Sequence, residues 1–156
     1  MSTNGKEIKE LVKERYSARA KRAIELSPVP QAVSKDSSAS GCDTGANCCG
    51  PVDLDHAIRL YNEGQLNGLP AESVAASAGS GNPIALAGLR EGERVLDLGS
   101  GGGIDCFLAA QQVGETGRVT GLDMTPAMIV LARKNQTDLG LSNVEFVHGE
   151  MENMPL

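Results

Sequence analysis

The chain has 156 residues, of which 22% are charged and 40% hydrophobic, and its formal net charge is −6 at pH 7. This length suits about one domain, no apolar run approaches the ~18 residues of a membrane span, and the amino terminus lacks the apolar core of a signal peptide. The acidic charge and the 3% aromatic content provide neither a basic surface nor stacking platforms for nucleic acid. We therefore expect a cytoplasmic, monomeric protein that acts on a small molecule, with no membrane or nucleic-acid partner.

Residues 6–26 predict a long amphipathic helix. Its apolar residues recur at spacings of three and four, which is the period of a helix: Ile8, Leu11, Val12, Tyr16, Ala20, Ala23 and Ile24. The opposite face carries lysine, arginine and glutamate, and we interpret it as a solvated surface without a functional role.

The segment 27–50 is rich in proline, serine and glycine, which predicts a loop. It contains three of the four cysteines: Cys42, Cys48 and Cys49. In a cytosolic chain, such thiols favour metal or metalloid ligation or redox chemistry over structural disulfides. A loop is also a reasonable place for ligands.

The elements after residue 50 are short at first and then regular. Short helices are predicted over 54–61 and 72–78, and another begins at Asn82-Pro83 and ends by Gly88. Three strands and two helices then alternate: strand 93–98, helix 103–113, strand 118–122, helix 126–139 and strand 144–147.

This β-α-β-α-β pattern predicts the first half of a doubly wound, parallel α/β sheet. We divide the chain into an amino-terminal region, 1–80, with the helix and the cysteine loop, and a Rossmann-like half-domain, 81–156. Three strands leave apolar surface uncovered, so we expect the sequence to be the amino-terminal piece of a longer protein.

A glycine-dense turn follows the first strand. Gly99, Gly101 and Gly103 are spaced G-x-G-x-G, whereas a dinucleotide fingerprint needs glycine at 104, which is isoleucine. Asp97, inside the strand, suits a ligand with a positively charged end. S-adenosylmethionine carries an ammonium and a sulfonium group, and glycines let the backbone lie against it without a Cβ clash.

Two further motifs follow the next two strands. Asp123 ends the second strand, where a carboxylate can accept both hydroxyls of a ribose. After the third strand, residues 149–156 place an acid and a free backbone N–H where an adenine edge is expected. Each motif lies at the carboxyl end of a strand, and their order favours S-adenosylmethionine as the cofactor.

These segments resemble the class I S-adenosylmethionine-dependent methyltransferases, and more narrowly the arsenite methyltransferases. The likeness rests on Val-Leu-Asp-Leu-Gly-Ser-Gly-Gly-Gly at 95–103, Gly-Leu-Asp-Met-Thr at 121–125, and Gly-Glu-Met-Glu-Asn-Met-Pro-Leu at 149–156. Gly-Ser-Gly-Asn-Pro at 79–83 and the Cys48-Cys49 pair add to it. The resemblance assigns cofactor contacts to nine residues: Asp97, Gly99, Ser100, Gly101, Gly103, Asp123, Met124, Glu150 and Met151.

The resemblance also implies an acceptor, trivalent arsenic held by thiolates, and hence a role in arsenic detoxification. Soft thiolates are preferred ligands for a thiophilic centre. Cys48 or Cys49 would supply one thiolate as the catalytic metalloid ligand, and further thiolates are expected after residue 156. The family has a cysteine where this chain has Ser80, and serine is a poor replacement. Arsenite is expected as a thiol conjugate, with glutathione or thioredoxin as the reductant.

Other interpretations stay open. A small-molecule C- or O-methyltransferase shares the same cofactor half and is favoured by Ser80, and a third interpretation is a non-catalytic fragment that binds cofactor or metalloid. Asp105 is interpreted chiefly as a favourable charge at a helix start, and Cys106 as a core residue. Met124 packs on either the cofactor or the sheet, and the isolated His56 and His148 receive no role.

Overall fold

A computed structural model describes residues 3–25, 61, 63–77 and 82–155 of the chain. In the described part the helices are α1 (Thr3–Glu25), α2 (Glu63–Leu66), α3 (Ala71–Ala76), α4 (Pro83–Ala87), α5 (Ile104–Val113) and α6 (Pro126–Leu139). The strands are β1 (Arg94–Leu98), β2 (Arg118–Asp123) and β3 (Val144–His148). Among the described helices, none is both long and apolar enough to cross a membrane.

The three strands form one parallel sheet in the order β1-β2-β3. Leu98 lies opposite Leu122, and Asp123 lies opposite His148, so the carboxyl ends of the strands meet at one edge. The crossover helices α5 and α6 join them, as parallel strands require. The predicted α/β class and its three parallel strands are confirmed.

The predicted boundaries agree with the observed elements to within three residues where both can be compared. The helix predicted over 72–78 is Ala71–Ala76, and the first strand begins at Arg94. Of the helix predicted over 54–61, only Tyr61 lies within the described residues. The loop with Cys42, Cys48 and Cys49, as well as Ser80, lies outside them.

The apolar residues at 95, 96 and 98 are typical of a buried parallel strand, but β1 is only partly buried. Among the described residues β1 pairs only with β2, and Leu96 and Leu98 remain 44% and 48% exposed. Parallel strands are buried when helices cover both faces of the sheet. Side chains two residues apart point to the same face, so the face that carries Leu96 and Leu98 is only partly covered in the described structure.

The main core lies between the sheet and α5. The rings of Phe107 and Phe146 meet edge to face, with centroids 5.7 Å apart and planes at 78°, an arrangement that aromatic quadrupoles favour. Gly121 makes room for this pair, because a Cβ there would lie 2.7 Å from Cδ1 of Phe146 and 2.8 Å from Oγ of Ser100. The small residue in β2 is therefore a packing requirement.

Helix α1 packs on α3 and α6 through its carboxyl-terminal half. Ala20 and Ala23 are buried in a small cluster with residues of those helices, and small side chains allow helices to approach closely. Of the predicted apolar stripe, Ile8, Leu11, Tyr16 and Ile24 are instead exposed. The charged face was also misjudged, since Lys9 forms ion pairs with the segment that follows β3.

Candidate functional site

The glycine turn after β1 is held by backbone bonds from the neighbouring strand. The N–H groups of Gly99 and Ser100 both donate to the carbonyl of Leu122, at 2.7 and 3.0 Å. Gly101 N–H donates to Oδ2 of Asp123 at 3.0 Å. The turn is thus fixed against the end of β2 before any ligand binds.

Asp123 organises the next connection as well. Its Oδ1 accepts from the N–H of Thr125 at 2.7 Å, at the start of α6, and its own carbonyl accepts from Gly149 N–H at 3.1 Å. One carboxylate therefore joins the glycine turn to the start of α6. Each of its oxygens has lone-pair capacity left for a further donor.

A cavity of about 750 Å³ opens at this edge of the sheet, within the usual range for small-molecule sites. It brings together seven of the nine residues predicted to contact a cofactor. Those seven are Asp97, Gly99, Ser100, Gly101, Asp123, Met124 and Met151. Met124 therefore faces the cavity.

Gly103 has a different place from its neighbours in the motif. It precedes α5 with φ +90°, and a Cβ would lie 2.7 Å from Cζ of Phe146 and 2.8 Å from Cζ of Phe107. The positive φ and the lack of space for a Cβ explain why this position is glycine. Its predicted role as a cofactor contact stays a prediction.

Glu150 also lies apart from the cavity wall, although Met151 and Glu152 contribute to it. The Glu150 carboxylate accepts from Nζ of Lys9 at 2.9 Å and from Nζ of Lys13 at 3.4 Å. These charge-assisted bonds lower the pKa of Glu150, and the bond from Lys9 is the largest cause. The predicted adenine contact of Glu150 stays a prediction.

Asp97 and Asp105 line the cavity, and each accepts a hydrogen bond from a specific side chain. Cys106 donates from Sγ to Oδ2 of Asp97 at 3.3 Å, and Tyr61 donates from its hydroxyl to Oδ1 of Asp105 at 2.9 Å. Cys106 is fully buried, as predicted. It is thus both a core residue and the partner of an acid in the cavity.

Burial dominates the electrostatics of these groups. It raises the pKa of Asp97, against the Cys106 bond, and the nearby charge of Asp123 adds to the increase. It raises the pKa of Asp105 to about 6, against the Tyr61 bond. The pKa values of Tyr61 and Cys106 are likewise raised, chiefly by burial. Shifted acids of this kind cluster at functional sites.

The cavity's residues fit S-adenosylmethionine on two observations. A Cβ at Gly99 or Gly101 would project into open space, and both residues have positive φ, so the bare backbone forms a cradle that side chains would fill. Asp97, Asp105 and Asp123 also line the cavity, and the ion pairs found among the described residues involve none of them. A ligand that carries positive charge compensates such a group of acids.

The sequence did not assign cavity positions to Tyr61 or to the α1 residues Lys9, Val12 and Tyr16. The Tyr61 contact joins residues 44 positions apart, so no local pattern indicates it. The spacing of Lys9, Val12 and Tyr16 indicates that they share one face of the helix. The sequence does not indicate which part of the protein that face contacts.

Comparisons with known proteins agree with this geometry. A family model described as a methyltransferase domain matches residues 89–156. An arsenite methyltransferase of Halobacterium salinarum is 44% identical over 128 residues, which cover 72% of this chain and 33% of that protein. An aklanonic acid methyltransferase from a Streptomyces species is 50% identical over 56 residues, or 36% of this chain and 26% of that protein.

A solved structure gives the same result for the fold. The arsenic(III) S-adenosylmethionine methyltransferase of Chlamydomonas reinhardtii superposes with a TM-score of 0.50 at 41% identity. The superposition covers 62% of this chain and 32% of that one.

The fold is that of the class I S-adenosylmethionine-dependent methyltransferases, with S-adenosylmethionine as the cofactor, and residues 89–156 match a methyltransferase domain. Within that class it is similar to the arsenite methyltransferases. It spans about a third of the length of the halobacterial relative.

Proposed function

We propose that this chain forms the cofactor-binding part of an enzyme that transfers a methyl group to thiolate-bound trivalent arsenic. The similarity to the halobacterial arsenite methyltransferase carries the proposal. It covers 72% of the chain, whereas the general methyltransferase match is confined to 89–156. The likeness therefore extends into the segment before the shared cofactor domain.

Each cofactor contact in this proposal follows from the position of its residue. Asp123 accepts the ribose hydroxyls with its remaining lone pairs, and Gly99 and Gly101 let the backbone approach the cofactor. Asp97 faces the positively charged methionine end. Met124 and Met151 supply apolar surface, and the bound cofactor supplies a methyl group on a sulfonium. The chain's own contribution is to orient this group and to exclude water.

The acceptor chemistry assigns a role to the cysteine loop. Cys48 and Cys49 are the proposed arsenic ligands, because thiolates prefer soft centres. The cofactor would supply the methyl group as a cation, and the lone pair of the thiolate-held arsenic would accept it. Arsenic is thereby oxidised by two electrons, which a thiol reductant such as glutathione or thioredoxin returns.

The test is arsenite-dependent product formation. The protein is incubated with S-adenosylmethionine, arsenite and a thiol, and methylated arsenic and S-adenosylhomocysteine are quantified by mass spectrometry. Cys48→Ser and Cys49→Ser should reduce methylated arsenic while leaving cofactor affinity unchanged, with Cys42→Ser as the matched loop control. Cofactor turnover that is indifferent to arsenite would rule out the proposal.

Ser80 provides a second test of the same proposal. If it occupies a ligand position, Ser80→Cys adds a soft ligand and tightens binding of As(III), as measured by titration. Unchanged As(III) affinity would show that residue 80 is not a ligand position.

A small-molecule C- or O-methyltransferase is the second candidate, and two observations favour it. Serine stands at position 80, where the resemblance to the arsenite methyltransferases implies a cysteine, and the aklanonic acid methyltransferase is 50% identical to this chain over 56 residues. Under this alternative, an organic acceptor supports S-adenosylhomocysteine formation in the absence of arsenite.

A further inference from the structure

Helix α1 is anchored at only one end. Its carboxyl-terminal half is fixed by buried Ala20 and Ala23 and by the Arg19 guanidinium, which donates to the carbonyl of Ser77. From Gly5 to Arg19, none of the described side chains is buried. Hydrophobic burial therefore holds the second half of the helix and not the first.

The amino-terminal half lies over the cofactor cavity. Lys9, Val12 and Tyr16, at the i, i+3, i+7 spacing of one helical face, form part of the cavity wall. On another side, the wall is formed by Met151 and Glu152 from the segment after β3. The cavity thus lies between the amino-terminal half of α1, which has no buried side chain among its described residues, and the segment that follows β3.

Ion pairs join these two walls. Nζ of Lys9 lies 2.9 Å from Oε2 of Glu150 and 3.0 Å from Oε1 of Glu152. Lys13 adds a pair with Glu150 at 3.4 Å. The two lysines are only 20% and 28% exposed, so they are held against the acidic segment and do not extend into solvent.

We propose that the amino-terminal half of α1 is a lid on the cofactor cavity, and that Lys9 and Lys13 fasten it to Glu150 and Glu152. Cofactor entry and product release then require these pairs to open, while Ala20 and Ala23 keep the helix attached. The same pairs fix the position of Met151 and Glu152 at the cavity wall. This inference depends on the cofactor cavity and not on the proposed arsenic acceptor.

These ion pairs open readily. Exposed ion pairs stabilise a structure only weakly. The carboxyl-terminal half of α1 instead covers the buried Met128 and Leu131 through Ala20 and Ala23, and burial of apolar surface is the stronger contribution. The pair-held half therefore opens at lower cost than the half held by burial. Salt screens exposed pairs, so the fastening weakens as ionic strength rises.

The test is the dissociation rate of S-adenosylhomocysteine from the 156-residue chain, measured by stopped-flow displacement in low salt and in about 0.5 M NaCl. The variants are Lys9→Arg, Lys9→Met and Lys9→Glu. The matched control is Lys21→Glu, on the exposed side of the same helix. Thermal unfolding and far-ultraviolet circular dichroism establish that each variant is folded.

We expect Lys9→Arg to resemble the parent and Lys9→Met to release the ligand faster. Lys9→Glu should release it fastest, by about 3- to 10-fold, since about 1 kcal/mol corresponds to that range. The differences should shrink in high salt, and Lys21→Glu should match the parent. A purely structural role for Lys9 would instead lower the melting temperature and leave the rate insensitive to salt.

Three results would overturn the inference: equal rates for Lys9→Glu and Lys21→Glu, an effect that high salt does not reduce, or a chain that binds no S-adenosylhomocysteine. Rates that follow the expected order in a protein inactive toward arsenite would refute only the proposed acceptor. The two proposals therefore fail in distinguishable ways.

Discussion

Sγ of Cys106 donates a hydrogen bond to Oδ2 of Asp97 over 3.3 Å, and this contact ties the first turn of α5 to the end of β1. Burial raises the pKa of Asp97, and the Cys106 bond opposes that rise by favouring the charged form. The thiol is itself held neutral, because burial raises its pKa. Cys106 thus acts on the acid as a neutral donor.

The first prediction concerns this donor. Cys106→Ala should raise the pKa of Asp97 further, because the opposing bond is lost, whereas Cys106→Ser should largely preserve it. A positively charged cofactor end needs the ionised acid, so affinity falls as pH falls through that pKa. The dissociation constant of S-adenosylhomocysteine should be measured as a function of pH. In Cys106→Ala, the loss of affinity on acidification should begin at a higher pH than in Cys106→Ser. Coincident curves for alanine and serine would contradict this.

The second prediction concerns Asp105, whose pKa is raised to about 6 by burial. The folded state binds this proton more tightly than the unfolded state, so the free energy of unfolding falls as pH rises from about 4 to about 6. Asp105→Asn removes this dependence and keeps an acceptor for the Tyr61 hydroxyl. It should raise stability by about 1–2 kcal/mol at neutral pH after allowance for solvent screening.

Urea unfolding at pH 4.5 and pH 7.5 checks this. The free energies of unfolding of the parent and of Asp105→Asn should differ more at pH 7.5 than at pH 4.5. A stability difference that does not change with pH would mean that Asp105 does not titrate in this interval.

The third prediction concerns the packing at Gly103. Gly103→Ala places a Cβ 2.7 Å from Phe146 and forces a positive φ on alanine. Overpacking and backbone strain together should cost about 2–4 kcal/mol. Gly5→Ala is the control, because its Cβ meets nothing within 4 Å, and alanine should stabilise the helix by up to about 1 kcal/mol. Chemical unfolding of both variants provides the comparison, and equal stabilities would contradict the packing argument.

The fourth prediction concerns Asp123. Both of its oxygens accept backbone N–H groups, from Gly101 and Thr125. In Asp123→Asn one N–H faces an amide NH₂, so a donor loses its acceptor, at a cost of about 1–3 kcal/mol. The amide also has one acceptor oxygen where the carboxylate has two, so fewer acceptors remain for the ribose hydroxyls. Cofactor affinity should therefore fall about 10- to 100-fold, as measured by calorimetric titration. An unchanged dissociation constant would remove Asp123 from the cofactor site.

The sequence predicted the half-sheet well because its signals are local. Apolar periodicity and the glycines at 99, 101 and 103 determine where β1 ends and α5 begins. The positions of Asp97 and Asp123 at the cavity could also be predicted, since parallel topology places the carboxyl ends of neighbouring strands together.

The remaining features depend on contacts between distant residues. Lys9 meets Glu150 across 141 positions, and a charged helical face has the same pattern whether water or protein covers it. The Tyr61 bond to Asp105 is invisible for the same reason. The exposure of Leu96 was missed because an apolar run indicates a buried strand but does not show what covers each face of the sheet.

The exposed strand β1 has a practical consequence for this chain in solution. Its hydrogen-bonding edge away from β2 has no strand partner among the described residues, and Leu96 and Leu98 add exposed apolar surface on one face of the same strand. An uncovered edge strand with exposed apolar side chains is a template for pairing with other chains. Self-association should therefore set the upper concentration at which the isolated chain can be handled, and Leu96→Lys, which adds a charge to that strand, should raise this limit.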